Sequence, residues 1–121
     1  NIFNLHWGIA PTYRGAGLIP CIAKGDFQNL GITFHKINEK SDGGDIYSTK
    51  NIKLDKSDNF YSIYLKMTLA GIDLIKKFIK DDNPNFIEQK LSNGTLYKHS
   101  EFKDNYLIYK KAFKKIKEIS N

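Results

Sequence analysis

Ile2-Phe3-Asn4-Leu5-His6-Trp7-Gly8-Ile9-Ala10-Pro11-Thr12-Tyr13-Arg14-Gly15-Ala16-Gly17 is the stretch from which the rest of the chain is read. Ile2-Phe3 is apolar and reads as the end of a buried strand. Asn4 and His6 stand two apart, so an extended backbone points both side chains to one face. The residues after His6 suit neither strand nor helix and read as a glycine-rich loop. An amide and an imidazole at a strand end, opening into such a loop, sit where open α/β sheets place their ligands. A second glycine turn, Ser41-Asp42-Gly43-Gly44-Asp45, comes later, with Asp42 36 positions beyond His6. An amide, an imidazole and a carboxylate are thereby candidates to converge.

Working outward, Leu18 to Lys24 is apolar enough for a short helix stopped by Gly25, and Pro20 limits it to starting near that residue or kinking there. Gly31 to Ile37 reads as a strand, with Thr33, His35 and Ile37 on one face and Ile32, Phe34 and Lys36 on the other. After a polar loop from Asn38 to Gly44, Asp45 to Leu54 reads as a second strand, forming a long-looped hairpin or a sheet neighbour. Ser57 is the expected N-cap of a long helix, with Asp58 in its first turn. Apolar residues recur at helical spacing from Phe60 to Ile79, interrupted by Gly71, which close packing on a sheet would explain. Asp81 to Pro84 reads as a linker. Asn93-Gly94 predicts a two-residue hairpin between Gln89 and Lys98. Ser100 is the expected cap of a last helix whose stripe is Phe102, Tyr106, Tyr109, Phe113 and Ile116.

The formal net charge of +6 suits an anionic partner such as a nucleotide, a phosphate or RNA. The chain is also rich in Lys, Asn and Ile together, and that composition accounts for most of the lysines. Lys110, Lys111, Lys114, Lys115 and Lys117 give the last helix a basic face, of a kind that is more often simply solvated. The single cysteine, Cys21, excludes an internal disulfide and fits a reducing cytoplasm, the expected location. No apolar run approaches transmembrane length. Three histidines and one cysteine, scattered without ligand spacing, provide no metal site.

Asp42 beside His6 would favour the imidazolium and raise its pKa. The bland readings are a hydrogen-bonded structural histidine and a turn that is only a turn. Arg14, between glycine-rich pieces, suits bidentate capture of a phosphate or carboxylate, or equally a buried pairing with an acid. Trp7 and Tyr13 suit stacking on a substrate ring or walling the loop, the wall being preferred for Trp7. His35 and His99 read as structural or exposed.

Four motifs carry a resemblance: Asn4-Leu5-His6, Pro11-x-Tyr13-Arg14-Gly15, Gly31-Ile32-Thr33-Phe34-His35 and Asp42-Gly43-Gly44-Asp45-Ile46. In that order and separation they resemble the folate-dependent formyltransferase family, from Asn1 to about Ile79. The resemblance implies an α/β fold, the C-terminal part of a Rossmann-like catalytic domain, with a mixed sheet and flanking helices. Residues 1–82 would belong to that domain and 83–121 to a small hairpin–helix extension. The domain's N-terminal half would lie outside the chain, leaving this part inactive alone. It implies transfer of a formyl group from 10-formyltetrahydrofolate to a primary amine.

In that scheme Asn4 orients the formyl oxygen, and His6 stabilises the oxyanion and shuttles a proton. Asp42 sets the charge of His6 and takes the amine proton. Asn38, Glu39, Lys40 and Ser41 correspond to the loop that cradles the pterin ring, largely through backbone groups. Trp7, Gly8, Tyr13 and Arg14 fall at substrate-contact positions. Proline and serine commonly follow the histidine in the family, so Trp7-Gly8 is a departure.

The stretch after the linker is too short for the C-terminal barrel of methionyl-tRNA formyltransferases. Glycinamide ribonucleotide formyltransferases typically differ where Tyr13-Arg14 stands. The resemblance therefore favours a small-molecule amine acceptor, a nucleotide-linked amino sugar, with a homodimer compatible, no membrane, and nucleic acid only if tRNA is the substrate. A non-catalytic module keeping the fold, and a basic RNA-binding piece, are the readings from other classes.

Overall fold

The computed structural model describes residues 1–120. A three-stranded antiparallel sheet in the order β1-β3-β4 is built from β1 (Phe3–His6), β3 (Gly31–Lys36) and β4 (Ile46–Asn51). β2 (Tyr13–Gly15) lies apart from it and pairs in parallel with β5 (Thr95–Tyr97). Three helices complete the α/β fold: α1 (Leu18–Lys24), α2 (Phe60–Ile79) and α3 (Tyr106–Ser120).

The register of β1 on β3 sets which residues share a face. Leu5 stands opposite Phe34, while Asn4 stands opposite His35 and His6 opposite Thr33. The Leu5 and Ile32 side chains meet α2 at Gly71, where an added Cβ would lie 3.0 Å from Ile32 and 3.1 Å from Leu5. The glycine thus lets helix and sheet approach closely. Ile63, Met67, Ala70 and Leu74 continue this buried face, so the helical periodicity is a core pattern. The other face of α2 leaves Tyr61, Leu65, Leu69 and Ile79 exposed. Among the described residues β1 is an edge strand.

On the opposite face Thr33 is fully buried and holds the loop after β1. Its hydroxyl donates to the Gly8 carbonyl at 2.7 Å and accepts from the Ala10 N–H at 3.0 Å. α1 ends as its sequence demands, with Gly25 left-handed at φ 70° and its N–H returned to the last turn. α1 packs on α3, where Cys21 and Ile22 meet the layer of Ala112 and Ile116.

Three local expectations are corrected. α2 is capped by Asn59, not Ser57. The Asn59 side chain accepts from the Tyr61 and Ser62 N–H groups, and the Ser62 hydroxyl accepts from the Asn59 N–H, completing a capping box. Ser57 instead closes a small turn on the Asp55 carboxylate. The hairpin at Asn93-Gly94 does not form. Leu91–Asn93 is a single 3-10 turn, and Gly94 is extended at φ −149°. A Cβ on Gly94 would fall 1.6 Å from the Pro11 carbonyl oxygen, so this glycine serves close approach rather than a turn. The following strand pairs with β2.

The last helix, finally, begins at Tyr106, after a short 3-10 turn at His99–Glu101. Its buried face is Ala112 and Ile116, while Phe102 lies buried before it and Tyr106 and Phe113 are exposed. The expected stripe was rotated because α1 contacts the small residue at 112.

The capping assignment separates two neighbouring substitutions. Asn59→Ala should cost about 1 kcal/mol in urea unfolding, the usual worth of an N-cap side chain. Ser57→Ala should cost well under half of that. Equal losses would return the cap to Ser57.

Candidate active site

The carboxylate of Asp42 is the centre of a polar cluster assembled from β1, β2, β3 and the loop after β3. Asp42 is the one described non-glycine residue with positive φ, at 49°. Aspartate tolerates that left-handed conformation better than most residues, and Gly43 and Gly44 let the chain continue from it. Gly44 must be glycine, since a Cβ there would lie 1.9 Å from the Lys36 carbonyl oxygen. The turn swings the Asp42 side chain over the sheet face that carries Asn4, His6 and His35.

Each carboxylate oxygen has two neighbours. Oδ1 lies 3.3 Å from Asn4 Nδ2, which donates to it, and 3.4 Å from His35 Nε2. Oδ2 accepts the Gly15 N–H at 2.8 Å and lies 3.3 Å from His6 Nδ1. Both imidazoles are almost wholly buried, whereas Asp42 keeps 17% exposure and stays reachable from solvent.

The second nitrogen of each ring fixes its proton. His6 Nε2 meets the Tyr13 carbonyl at 2.6 Å, and His35 Nδ1 meets the Lys36 carbonyl at 2.7 Å. A carbonyl only accepts, so both of those nitrogens carry hydrogen and the other nitrogen of each ring faces Asp42.

Two imidazoles around one carboxylate do not titrate alike. Burial is the largest influence on both and opposes charge. At His6 burial prevails over the Tyr13 carbonyl and the Asp42 charge, and the pKa is lowered; the His35 and Arg14 charges push the same way. At His35 burial is outweighed by the Asp42 hydrogen bond, the Lys36 carbonyl and the Asp42 charge, and the pKa is raised. Asp42 itself is desolvated, yet hydrogen bonding from His35, the His6 charge and the Gly15 N–H bring its pKa below the ordinary value. Asp42 does push His6 upward, as expected, but burial outweighs it; the imidazole whose pKa is raised on balance is His35. Its position as the cross-strand neighbour of Asn4 was the available signal, hidden because strand register cannot be read from composition.

The other candidate residues divide. Gly8 is bound into the site, since a Cβ there would lie 2.5 Å from the Tyr13 oxygen and 2.7 Å from His6 Nε2. Any side chain would break the His6–Tyr13 hydrogen bond. Tyr13 contributes that carbonyl, but its buried ring stacks on Tyr97 and its hydroxyl donates to Asp26 at 2.8 Å, away from Asp42. Its ring is a structural support and not a substrate platform.

Trp7 packs on Tyr64 with ring centroids 4.9 Å apart. The pair lines a cleft of about 310 Å³ with Gly15, Ala16, Phe102 and Tyr109. Arg14 is buried and donates from Nη1 to the Ser41 carbonyl at 3.3 Å, while its Nε has no partner. No carboxylate pairs with it among the described residues. Asn38, Glu39, Lys40 and Ser41 form an exposed loop leading to Asp42, with the Asn38 side chain accepting the Lys40 N–H. His99 is exposed beside Phe102 and lines the same cleft as Trp7 and Gly15. No group of three or more potential metal ligands occurs among the described residues.

No family model matches the chain. Methionyl-tRNA formyltransferase of Coprothermobacter proteolyticus is 35% identical over 91 residues, covering 74% of this chain and 27% of the relative. That of Wolbachia pipientis is 31% identical over 120 residues, covering 94% and 39%. The bifunctional polymyxin resistance protein ArnA of Wigglesworthia glossinidia is 29% identical over 90 residues, 13% of its length. The chain thus spans well under half the length of these relatives.

Among solved structures, the formyltransferase PseJ from Anoxybacillus kamchatkensis shares the fold at TM-score 0.75 and 19% identity, covering 98% of this chain and 66% of that one. The N-formyltransferase from Helicobacter canadensis does so at TM-score 0.76 and 19% identity, covering 96% and 47%. Sequence relatives and fold neighbours agree: the chain is similar in sequence to formyltransferases and shares their fold.

Proposed function

We propose that this chain supplies the catalytic carboxylate, amide and imidazoles for moving a formyl group from 10-formyltetrahydrofolate to the primary amine of a nucleotide-linked amino sugar. The observation that carries the reading is the convergence of Asn4, His6 and His35 on a partly exposed, ionised Asp42. Two fold neighbours support the substrate class. PseJ was solved with UDP-4,6-dideoxy-4-formamido-L-AltNAc and tetrahydrofolate, and the Helicobacter canadensis enzyme with folinic acid and dTDP-3-aminofucose.

The chemistry follows from the charges. An amine attacks the formyl carbon, a C–N bond forms, and the carbonyl oxygen becomes an oxyanion. Asn4 Nδ2, held beside Asp42, is the donor for that oxygen. The attacking nitrogen becomes cationic, and the ionised Asp42 accepts its proton. His6, kept neutral by burial, presents Nδ1 to Oδ2 and relays that proton. The imidazolium so formed has both N–H groups matched, one by Asp42 and one by the Tyr13 carbonyl. Collapse of the intermediate breaks the bond to the folate nitrogen, which leaves with a proton as tetrahydrofolate. His35, whose pKa is raised despite burial by its hydrogen bond to Asp42 and the Lys36 carbonyl, supports the ionised form of Asp42.

The loop from Asn38 to Ser41 is assigned to the folate ring, and Trp7, Gly8 and Arg14 to the acceptor side. Residues 1–82 are assigned to the catalytic unit and 83–121 to an extension joined to it through β5. Methionyl-tRNA is the second acceptor, favoured by the names of the sequence relatives.

The complete protein, given 10-formyltetrahydrofolate with a panel of nucleotide-linked 3-amino and 4-amino sugars and with methionyl-tRNA, should release tetrahydrofolate with a sugar. Asp42→Asn should lose roughly 10²- to 10⁴-fold in kcat, the usual worth of a general acid–base group. Release with tRNA alone would replace the acceptor and keep the chemistry. Silence with every acceptor would sink the reading.

The charge assignment has its own check by histidine NMR. His35 should hold its proton above the ordinary 6.5 and His6 should lose its own below it. In Asp42→Asn the support for the His35 imidazolium disappears while its burial remains, so its titration should move down. The opposite order of the two rings would exchange their roles.

A further inference from the structure

Asp42 can hold its neighbours only while its turn keeps a left-handed backbone. The groups that brace the turn are therefore part of the machinery. Ser41 is held by Arg14 Nη1, and Gly15 holds the carboxylate itself. The backbone on the far side of Asp42 is held by Gln89, from the segment that follows α2. Its Nε2 donates to the Asp42 carbonyl at 2.8 Å and to the Gly44 carbonyl at 2.7 Å. One amide thus bridges the two ends of Asp42-Gly43-Gly44.

Gln89 is only 8% exposed, and its Oε1 is buried without a partner. Flipping the amide would not relieve this. It would set Oε1 against two carbonyl oxygens and leave the N–H groups unmatched, so the carbonyls fix the orientation. A buried orphan acceptor is unfavourable, and here it accompanies a demand for two donors at one point. The segment around Gln89 is anchored on both sides. Ile87 exchanges two backbone hydrogen bonds with Ile46, each 2.8 Å. Leu91 lies against Gly43, 3.4 Å from where a Cβ would stand.

We propose that Gln89 is a positioning residue of the formyl-transfer site, locking the Asp42 turn so that the carboxylate stays between the two imidazoles. The proposal rests on the catalytic reading of Asp42 given above. Gln89 touches neither substrate nor reacting atom; it acts through the turn. A misplacement of about 1 Å at a reacting group costs on the order of 10²-fold.

The test uses the complete protein and two substitutions. Gln89→Met keeps the side-chain length and removes both donors. It should retain the far-UV spectrum while kcat falls roughly 10- to 100-fold, with KM for 10-formyltetrahydrofolate changed much less. The His35 titration should fall toward that of an imidazole without its carboxylate. Gln89→Glu is isosteric and bears a carboxylate against the same carbonyls. Its kcat relative to wild type should rise as pH falls and the new carboxyl group becomes a donor again.

Wild-type kcat and wild-type His35 titration in folded Gln89→Met would overturn the proposal. If that variant does not fold, a Gln89→Glu to wild-type ratio constant between about pH 5.5 and 8.5 would overturn it. An inactive wild-type protein would instead reject the functional reading. The His35 titration in the variants would still decide whether Gln89 positions Asp42.

Discussion

A carboxylate on a left-handed turn, placed between two buried imidazoles, is the constraint around which this chain is arranged. Burial alone would push Asp42 toward its neutral form and both histidines toward theirs, leaving three polar groups with little to offer one another. The geometry avoids that outcome by dividing the work. Both rings have a carbonyl partner, but the Asp42 hydrogen bond raises the His35 pKa while burial lowers that of His6. One charged imidazole suffices to keep one carboxylate ionised. A second charged ring alongside would meet the repulsion of the first and of Arg14. The asymmetry sets a ring with a raised pKa and a ring with a lowered pKa on the two sides of one carboxylate.

That arrangement explains the residues after His6. A proline or serine in place of Trp7-Gly8 would alter the approach of the loop to the ring. At Gly8 the absence of a Cβ lets the Tyr13 carbonyl come within 2.6 Å of His6 Nε2. Thr33 then ties the same loop to β3 through the Gly8 carbonyl. The loop is polar in function but anchored like a core segment, and its flexibility in composition says little about its freedom in the fold. Tyr13 illustrates the point. Its ring, which invites assignment to a substrate, is engaged with Asp26 and Tyr97, and only its backbone serves the site.

Much of this was legible from local pattern. The two-residue spacing of Asn4 and His6, the stop of α1 at Gly25, the long β3–β4 connection and the core face of α2 all depend on short-range rules. What stayed hidden depends on register or on distant partners. His35 belongs to the site because β1 pairs with β3 in one register out of several, and a slip of one residue would have turned it away. Asn93-Gly94 looked like a hairpin because the pair is permissive, yet the glycine was needed beside Pro11 instead. Asn59 outcompeted Ser57 because a capping box also needs Ser62 three residues on, a reciprocal requirement that inspection of one position does not expose.

The extension shows why chain order is a poor guide to what completes a site. Residues after α2 contribute β5, which pairs with the very loop that leaves β1, and Gln89, which grips the Asp42 turn. Gly15 lies at the junction: its N–H holds the Asp42 carboxylate, and it stands opposite Tyr97 of β5 in the strand pair. A left-handed aspartate is an uphill backbone state that persists only where surrounding contacts over-determine it. Arg14, Gly15 and Gln89 together supply that over-determination from two sides. The segment that seems an appendage in the sequence therefore bears on the charge state of His35, through the position of one carboxylate.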